Sequence, residues 1–177
     1  MDDLWRLTQD TSLHQRWDLR FNSISPLPDG RFSYSTLFVR GKGESVGERV
    51  GDERASALKF WSSSPLSPIA SGSGYWRYKP EGDGCIRFLT RYDYRPRSRA
   101  VDRVFRPLMA WGTAWSFDRL ALWLERGVAP ERALALAVVR ALAIAGLARR
   151  RPLVLALLLV PVPGVPSARR CRWSASE

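Results

Sequence analysis

The hydrophobic period of this chain changes once, and that change is the strongest constraint on its fold. Between residues 31 and 94, apolar and polar residues alternate in short segments, which is typical of strands with one buried face. From residue 101 to residue 126, the apolar residues instead recur at the spacing of a helical stripe. A long helix that follows an antiparallel meander buries its stripe by lying across the sheet. We therefore predict an α+β helix-grip fold, in which a curved antiparallel sheet wraps around one long C-terminal helix.

The alternating segments predict four strands, at residues 31–39, 54–61, 73–79 and 85–94. The turn sequences at residues 28–30 and 81–84 contain glycine and join neighbouring strands as hairpins. Residues 41–51 are charged and rich in glycine, and they predict either a bulged strand or a loop. Strands at this spacing, joined by tight turns, favour an antiparallel meander.

Helices are predicted on both sides of the meander. Two short helical turns flank the capping sequence Asp10-Thr11-Ser12 near the N-terminus. In the long helix, Pro107 must start or kink the regular part, and Gly127 is placed to end it. The predicted apolar stripe of this helix consists of Val101, Val104, Phe105, Leu108, Gly112, Trp115 and Leu122.

Composition divides the chain near residue 127. We predict a helix-grip domain over residues 1–127, an apolar helical tail over 128–165 and a basic, disordered end over 166–177. Neither apolar stretch of the tail reaches the length of about 20 residues that a membrane-spanning helix needs. Two interpretations remain. The tail is an interfacial membrane anchor with Arg149, Arg150 and Arg151 at anionic headgroups, or it docks on protein.

Charge and residue counts exclude several classes of site. The formal net charge is +11, but the arginines are scattered and accompany no nucleic-acid-binding module, so we expect no nucleic-acid partner. One histidine and two distant cysteines leave no basis for a zinc site, and we expect neither a metal nor a cofactor. The acidic N-terminus is unlike a signal peptide, so we expect a cytoplasmic protein, with membrane association through the tail as an option.

Three stretches resemble bacterial members of the START-like superfamily, also called the polyketide cyclase/dehydrase and lipid-transport (SRPBCC) superfamily. They are residues 14–18, 72–78 and 87–94, and residues 105–123 resemble the gripping helix. This resemblance covers residues 1–126 and implies an apolar cavity. Members of the superfamily begin with a strand before the first helix, whereas this sequence starts inside that helix. Either the true start lies upstream, or one sheet edge is missing and its backbone groups are unpaired.

Large aromatic side chains with polar tips are suited to lining such a cavity when they are taken together, although core packing is the better explanation for any one of them alone. The tyrosines would supply the few hydroxyl groups that orient an apolar guest. The candidate ligand-binding residues are Tyr34, Phe38, Phe60, Trp76, Tyr78, Phe88, Tyr92, Tyr94, Trp111, Trp115 and Arg119.

Arg119 falls on the centre of the apolar helical stripe, where a charge must be paired or reach solvent. It reaches solvent at the cavity mouth, pairs with a carboxylate such as Asp18 or Asp93, or anchors an anionic or carbonyl group of the ligand. Histidine is a residue type that often serves as a general base, but no nucleophile accompanies His14, and we assign no catalytic residue.

These observations favour a carrier or sensor that binds a hydrophobic small molecule or lipid, with its tail on a membrane surface. The alternative is a polyketide cyclase- or dehydratase-like enzyme that acts on a hydrophobic carbonyl substrate. A third hypothesis is an interaction module with a packed core, whose tail docks a partner. Whether the protein is an enzyme stays open at this point, because one fold can host all three functions.

Overall fold

A computed structural model describes residues 1–36 and 39–168. Candidate ligand residue Phe38 and the basic end from residue 169 onward lie outside the described residues. The helices are α1 (Asp2–Gln9), α2 (Thr11–Trp17), α3 (Arg99–Arg126) and α4 (Pro130–Ala148), followed by a 3₁₀ segment at Pro152–Leu159. The strands are β1 (Ser23–Pro26), β2 (Arg31–Thr36), β3 (Val39–Arg49), β4 (Arg54–Trp61), β5 (Ile69–Glu81) and β6 (Cys85–Pro96).

The six strands form one curved antiparallel sheet in the order β1-β2-β3-β4-β5-β6. This order confirms the predicted meander and the mixed α+β class, with a long helix after the sheet. The finer prediction, that the sheet grips this helix, stays a prediction. The described chain forms two compact units, of which the first comprises Met1–Gln15 and Phe21–Leu108. The second comprises Arg16–Arg20 and the chain from Met109 onward, and the predicted domain boundary at residue 127 stays a prediction.

Some strands extend beyond the predicted boundaries, because pairing with the neighbouring strand continues past the segment in which apolar and polar residues alternate. Strand β5 runs from residue 69 to residue 81, because its pairing with β6 continues through Pro80 and Ile86. The sequence does not predict strand β1, since Ile24 is its only buried residue and gives no periodic signal. The glycine-rich segment is the bulged strand β3, whose register shifts between Ser45 and Gly47.

The predicted helix boundaries are confirmed by capping geometry. A carboxylate oxygen of Asp10 accepts a hydrogen bond of 2.8 Å from the Ser12 amide at the start of α2. Helix α3 ends at Arg126, and Gly127 follows with a φ of +64°. The amides of Gly127 and Val128 donate to the carbonyls of Trp123 and Leu122, which satisfies the last turn.

The predicted stripe of α3 is wrong in its first half. Val101, Val104 and Leu108 are 51%, 65% and 60% exposed. The buried positions begin at Gly112 and include Trp115. Helical spacing gives the direction of an apolar face, but it does not say along which turns another element covers that face. Pro107 lies inside α3 and does not start it.

Most apolar side chains of α4 and of the 3₁₀ segment are exposed, and only Pro130, Ala133 and Ile144 of α4 are buried. Within the described residues, no helix combines the length and the apolar character that crossing a membrane requires. Helix α4 has 19 residues, but Glu131, Arg132 and Arg140 interrupt it.

Candidate functional site

Strand alternation gives the sheet two chemically different faces. Paired residues of antiparallel strands share a face, so the strand register assigns every side chain. We name them the aromatic face and the basic face. The aromatic face carries Phe32, Tyr34, Phe60, Trp76, Tyr78, Phe88, Tyr92 and Tyr94. The basic face carries Arg31, Arg40, Lys42, Arg49, Lys59, Arg77, Lys79, Arg87, Arg91 and Arg95, with the carboxylates Glu44, Glu81 and Asp93.

Four rings of the aromatic face lie against glycines on the neighbouring strand. The directly paired residues are Tyr34 with Gly41, Phe32 with Gly43, Phe60 with Gly72, and Tyr92 with Gly74. A Cβ added to any of these glycines would stand between 2.3 and 2.6 Å from the ring opposite. No side chain fits beneath these rings, so glycine is required by close approach at all four positions.

This arrangement gives the middle of the aromatic face a flat apolar floor. A ring that lies down on a glycine turns one of its sides to the sheet and the other away from it. Tyr34, Phe60 and Tyr92 are half-buried, so part of each ring surface is available for contact. Aromatic rings contribute large contact areas at low conformational cost, which suits them to recognition of apolar molecules.

One end of the aromatic face is core. The Tyr78 side chain is fully buried, and its ring contacts Trp5 of α1 with centroids 5.1 Å apart. Its hydroxyl lies 2.7 Å from the Thr8 hydroxyl and accepts a hydrogen bond of 2.9 Å from the Gln9 amide. Burial raises the pKa of Tyr78 to about 12, against smaller opposing effects of these hydrogen bonds. Tyr78 therefore joins α1 to the sheet, and its hydroxyl is already engaged by protein and does not serve a bound ligand.

Trp76 belongs to the same packed end. Its ring contacts the His14 ring of α2 at 5.1 Å and the Phe88 ring of β6 at 5.7 Å. The Trp76 indole also donates a hydrogen bond of 3.2 Å to the Tyr92 hydroxyl. His14 is buried against these aromatic rings, which is the surrounding of a core histidine.

Tyr94 lies at the other end of the face, beside the start of α3. Its hydroxyl donates a hydrogen bond of 2.6 Å to the Asp102 carboxylate, which also accepts from Arg106 at 2.9 Å. Desolvation, followed by the hydrogen bond to Asp102, raises the pKa of Tyr94 to about 12. The hydrogen bond from Tyr94 lowers the pKa of Asp102. This chain of groups fixes the first turn of α3 to β6.

The hydroxyl groups predicted to orient a guest are thus mostly engaged by protein. Tyr78, Tyr92 and Tyr94 all make side-chain hydrogen bonds. Among the residues that the structure describes, the Tyr34 hydroxyl has no hydrogen-bond partner, and burial raises its pKa. Tyr34 is the candidate best placed to offer a hydroxyl to a bound molecule.

The remaining described candidates, Trp111, Trp115 and Arg119, belong to the second unit. Trp111 is exposed and stacks on the buried Trp115, with ring centroids 6.1 Å apart. The Arg119 guanidinium lies over the Trp115 ring at 5.5 Å. The structure therefore brings seven predicted residues together on one sheet face and gathers these three along α3.

Arg119 is held by backbone carbonyl groups and not by the carboxylates that the sequence suggested. Its guanidinium donates to the Arg16 carbonyl at 2.8 Å and to the Pro130 carbonyl at 3.1 Å, and the residue is 4% exposed. Burial lowers the pKa of Arg119, while Glu131 and Asp18 act in the opposite direction. The geometry gives Arg119 a structural role, and anchoring of a ligand stays a prediction.

Sequence reasoning missed two features of these units. The first is the pairing of aromatic rings with glycines. Its signal in the sequence is a glycine that lies on the same sheet face as an aromatic residue of the adjacent strand. The second is the ion pair of Asp18 and Arg20, which Thr113 of α3 extends by accepting a hydrogen bond of 3.1 Å. Asp18 and Arg20 lie two residues apart in a loop, where the sequence carries no sign of burial.

Comparison with known proteins finds one informative similarity. The chain is 44% identical over 156 residues to the uncharacterized membrane protein YndG of Bacillus subtilis (strain 168), which covers 78% of this chain and 58% of that protein. The chain therefore spans less than two thirds of the length of this relative. No family model matches the chain, and no solved structure matches it.

Proposed function

We propose that this protein binds a hydrophobic small molecule or lipid on the aromatic face of its sheet, as a carrier or sensor. The observation that carries the proposal is the floor of half-buried rings laid down on Gly41, Gly43, Gly72 and Gly74. Rings that only pack a core are covered on both sides, whereas these rings are half-buried. The START-like resemblance of residues 1–126 supports the same proposal.

A binding role fits the chemistry of this face better than catalysis. His14, the one histidine of the chain, is packed between Phe21 and Trp76. Three of the tyrosine hydroxyls are engaged by protein groups, and the pKa values of Tyr78 and Tyr94 are raised to about 12. Proton transfer near neutral pH needs groups with pKa values much closer to 7.

The proposal also includes association with a membrane surface through α4 and the 3₁₀ segment. Val139 and Leu142 of α4 are 65% and 67% exposed, and the leucines at positions 153–159 are exposed as well. Exposed apolar surface of this extent marks an interaction site, and a bilayer boundary is one that a basic, apolar helix suits. The name of the similar Bacillus protein, a membrane protein, points the same way.

Native mass spectrometry of the full chain, purified without detergent, tests the binding role. We expect a discrete excess mass that disappears on denaturation. Phe60→Ala should lower occupancy about tenfold, because it removes one ring of the floor. Trp61→Ala is the matched control, since Trp61 is the next residue on β4 and faces the other way. A bare mass with no uptake from a lipid extract, in a protein that melts cooperatively, contradicts the proposal.

Flotation with phosphatidylcholine vesicles tests the membrane role separately. We expect the wild-type chain to float with the vesicles and the double variant Val139→Ser/Leu142→Ser to float markedly less. Equal flotation of the two proteins, or none for the wild type, contradicts the assignment of α4 to the membrane.

A further inference from the structure

The basic face of the sheet has a charge imbalance that ligand binding on the opposite face does not explain. It carries ten Lys and Arg side chains against three carboxylates. Arg31 pairs with Asp29 and Arg87 pairs with Glu81, but most of the cationic side chains are exposed. A sheet face with a large excess of positive charge attracts a negatively charged surface.

Within this face, the strands β1, β2 and β3 form a depression of about 650 Å³ that we name the serine basin. Its lining includes the cations Arg40 and Lys42 and the hydroxyl residues Ser23, Ser33 and Ser35. Ser35 is paired with Arg40 and Ser33 with Lys42, so cations and hydroxyls stand side by side on neighbouring strands. The described residues that line the basin include no carboxylate.

The cations of the basin are not neutralised by protein. Neither Arg40 nor Lys42 makes an ion pair with any residue in the described part of the chain. The Ser23 and Ser35 hydroxyl oxygens are 2.8 Å apart and share one hydrogen bond. The hydroxyl that accepts this bond still has its own proton to donate to a bound group. Two cations with adjacent hydroxyl donors are the groups that bind a phosphate.

We infer that the basic face docks on a bilayer that contains anionic phospholipids, and that the serine basin takes a lipid phosphate group. The choice of a bilayer as partner rests on the proposed membrane association. Single-stranded nucleic acid fits less well, because its bases need free rings for stacking. On this face, the described strand residues include two aromatic side chains, Trp61 and Tyr75. The Arg77 guanidinium lies over the Tyr75 ring at 5.5 Å, so one ring is left for the stacking of successive bases.

Vesicle binding of the full chain at two compositions tests this inference. The vesicles contain phosphatidylcholine alone, or phosphatidylcholine partly replaced by phosphatidylglycerol. We expect tighter binding to the anionic vesicles, and we expect added salt to remove the difference. The double variant Arg40→Ser/Lys42→Ser should weaken binding to anionic vesicles about thirtyfold and leave binding to neutral vesicles unchanged.

The matched control is Arg99→Ser/Arg103→Ser, which removes the same charge from exposed positions on α3. Its loss of affinity for anionic vesicles should be several times smaller, and both double variants should melt as the wild type does. Equal losses of affinity in the two double variants would overturn the assignment of a lipid phosphate to the serine basin. Equal binding of the wild type to both vesicle types would overturn the inference and leave the proposed apolar anchoring intact. Binding of a single-stranded RNA that exceeds vesicle binding, and that Arg40→Ser/Lys42→Ser abolishes, would assign this face to nucleic acid instead.

Discussion

The Phe60 ring lies on the α-carbon of Gly72, its partner across β4 and β5. A Cβ built on Gly72 would stand 2.4 Å from the ring Cζ and 2.8 Å from the Asp93 carbonyl oxygen. The ring would have to lift away from the sheet, and the Asp93 carbonyl belongs to the paired backbone of β6, which cannot shift without disturbing the sheet. This contact couples the choice of residue on one strand to the shape of the apolar floor on the next.

Gly72→Ala is therefore expected to destabilise the protein by about 1–3 kcal/mol, because the added methyl group overpacks the sheet. Denaturant unfolding measures this change. Gly47→Ala is the matched control, since nothing lies within 4 Å of a Cβ at Gly47 and the substitution should cost less than about 0.5 kcal/mol. In a double-mutant cycle, Phe60→Ala should relieve much of the cost of Gly72→Ala. Strict additivity of the two substitutions would show that the ring and the methyl group do not compete.

Tyr78→Phe is expected to cost about 1 kcal/mol of unfolding free energy. The variant loses the hydrogen bonds of the hydroxyl to Thr8 and Gln9. The loss is modest because Thr8 still donates to a backbone carbonyl, such as that of Leu4, and Gln9 still donates to Ser56. A loss above about 3 kcal/mol would mean that the hydroxyl has a larger role than these contacts indicate.

Tyr78 also sets an alkaline limit to stability. Its pKa is about 12 when folded and 10 in the reference state, so the folded protein favours the neutral phenol. The stability that this preference contributes is complete below pH 10 and is lost as the pH rises toward 12. The slope is about 1.4 kcal/mol per pH unit for this one group. Unfolding followed by circular dichroism over this range should show a shallower decline for Tyr78→Phe.

In the second unit, the ion pair of Asp18 and Arg20 should matter far more than that of Arg16 and Glu131. The Asp18 and Arg20 side chains are 0% and 9% exposed, and the second pair is 40% and 57% exposed. Asp18→Ala removes the carboxylate that balances the charge of a nearly buried guanidinium, so we expect a loss of about 3–5 kcal/mol. Glu131→Ala should cost less than about 1 kcal/mol. Equal losses in thermal unfolding would contradict the burial of the first pair.

The Glu131 carboxylate is expected to make the stability of the protein depend on pH in the acid range. The hydrogen bond from Arg16 lowers the pKa of Glu131 below its reference value of 4.5. A carboxylate with a depressed folded pKa contributes stability that is present above the unfolded pKa and is lost as the pH falls through the folded one. Glu131→Gln should therefore flatten the pH dependence of stability below about pH 4.5 and leave it unchanged near neutrality.

Substitutions of Arg119 distinguish a structural role of this residue from a role in ligand binding. Arg119→Met leaves the carbonyls of Arg16 and Pro130 without their donor and should cost about 2–3 kcal/mol. Arg119→Lys should restore part of this loss, because a single ammonium cannot reproduce the planar fork of donors. Occupancy by the copurified molecule should be the same in Arg119→Lys and the wild type. A selective loss of occupancy at unchanged stability would make Arg119 a ligand anchor.

Alternation and helical spacing, read from the sequence, determined the mixed α+β class, the antiparallel meander, the long helix and the ends at Asp10 and Gly127. These are local properties, because period, capping and turn chemistry depend on residues that are neighbours in the chain. Only the tertiary structure decided which rings lie on which glycines, since that depends on strand register and on the bulge between Ser45 and Gly47. It also decided that the first half of the α3 stripe stays exposed and that Arg119 binds the Arg16 and Pro130 carbonyls. Burial and hydrogen bonding between distant segments are properties of packing, and no local pattern of residues encodes them.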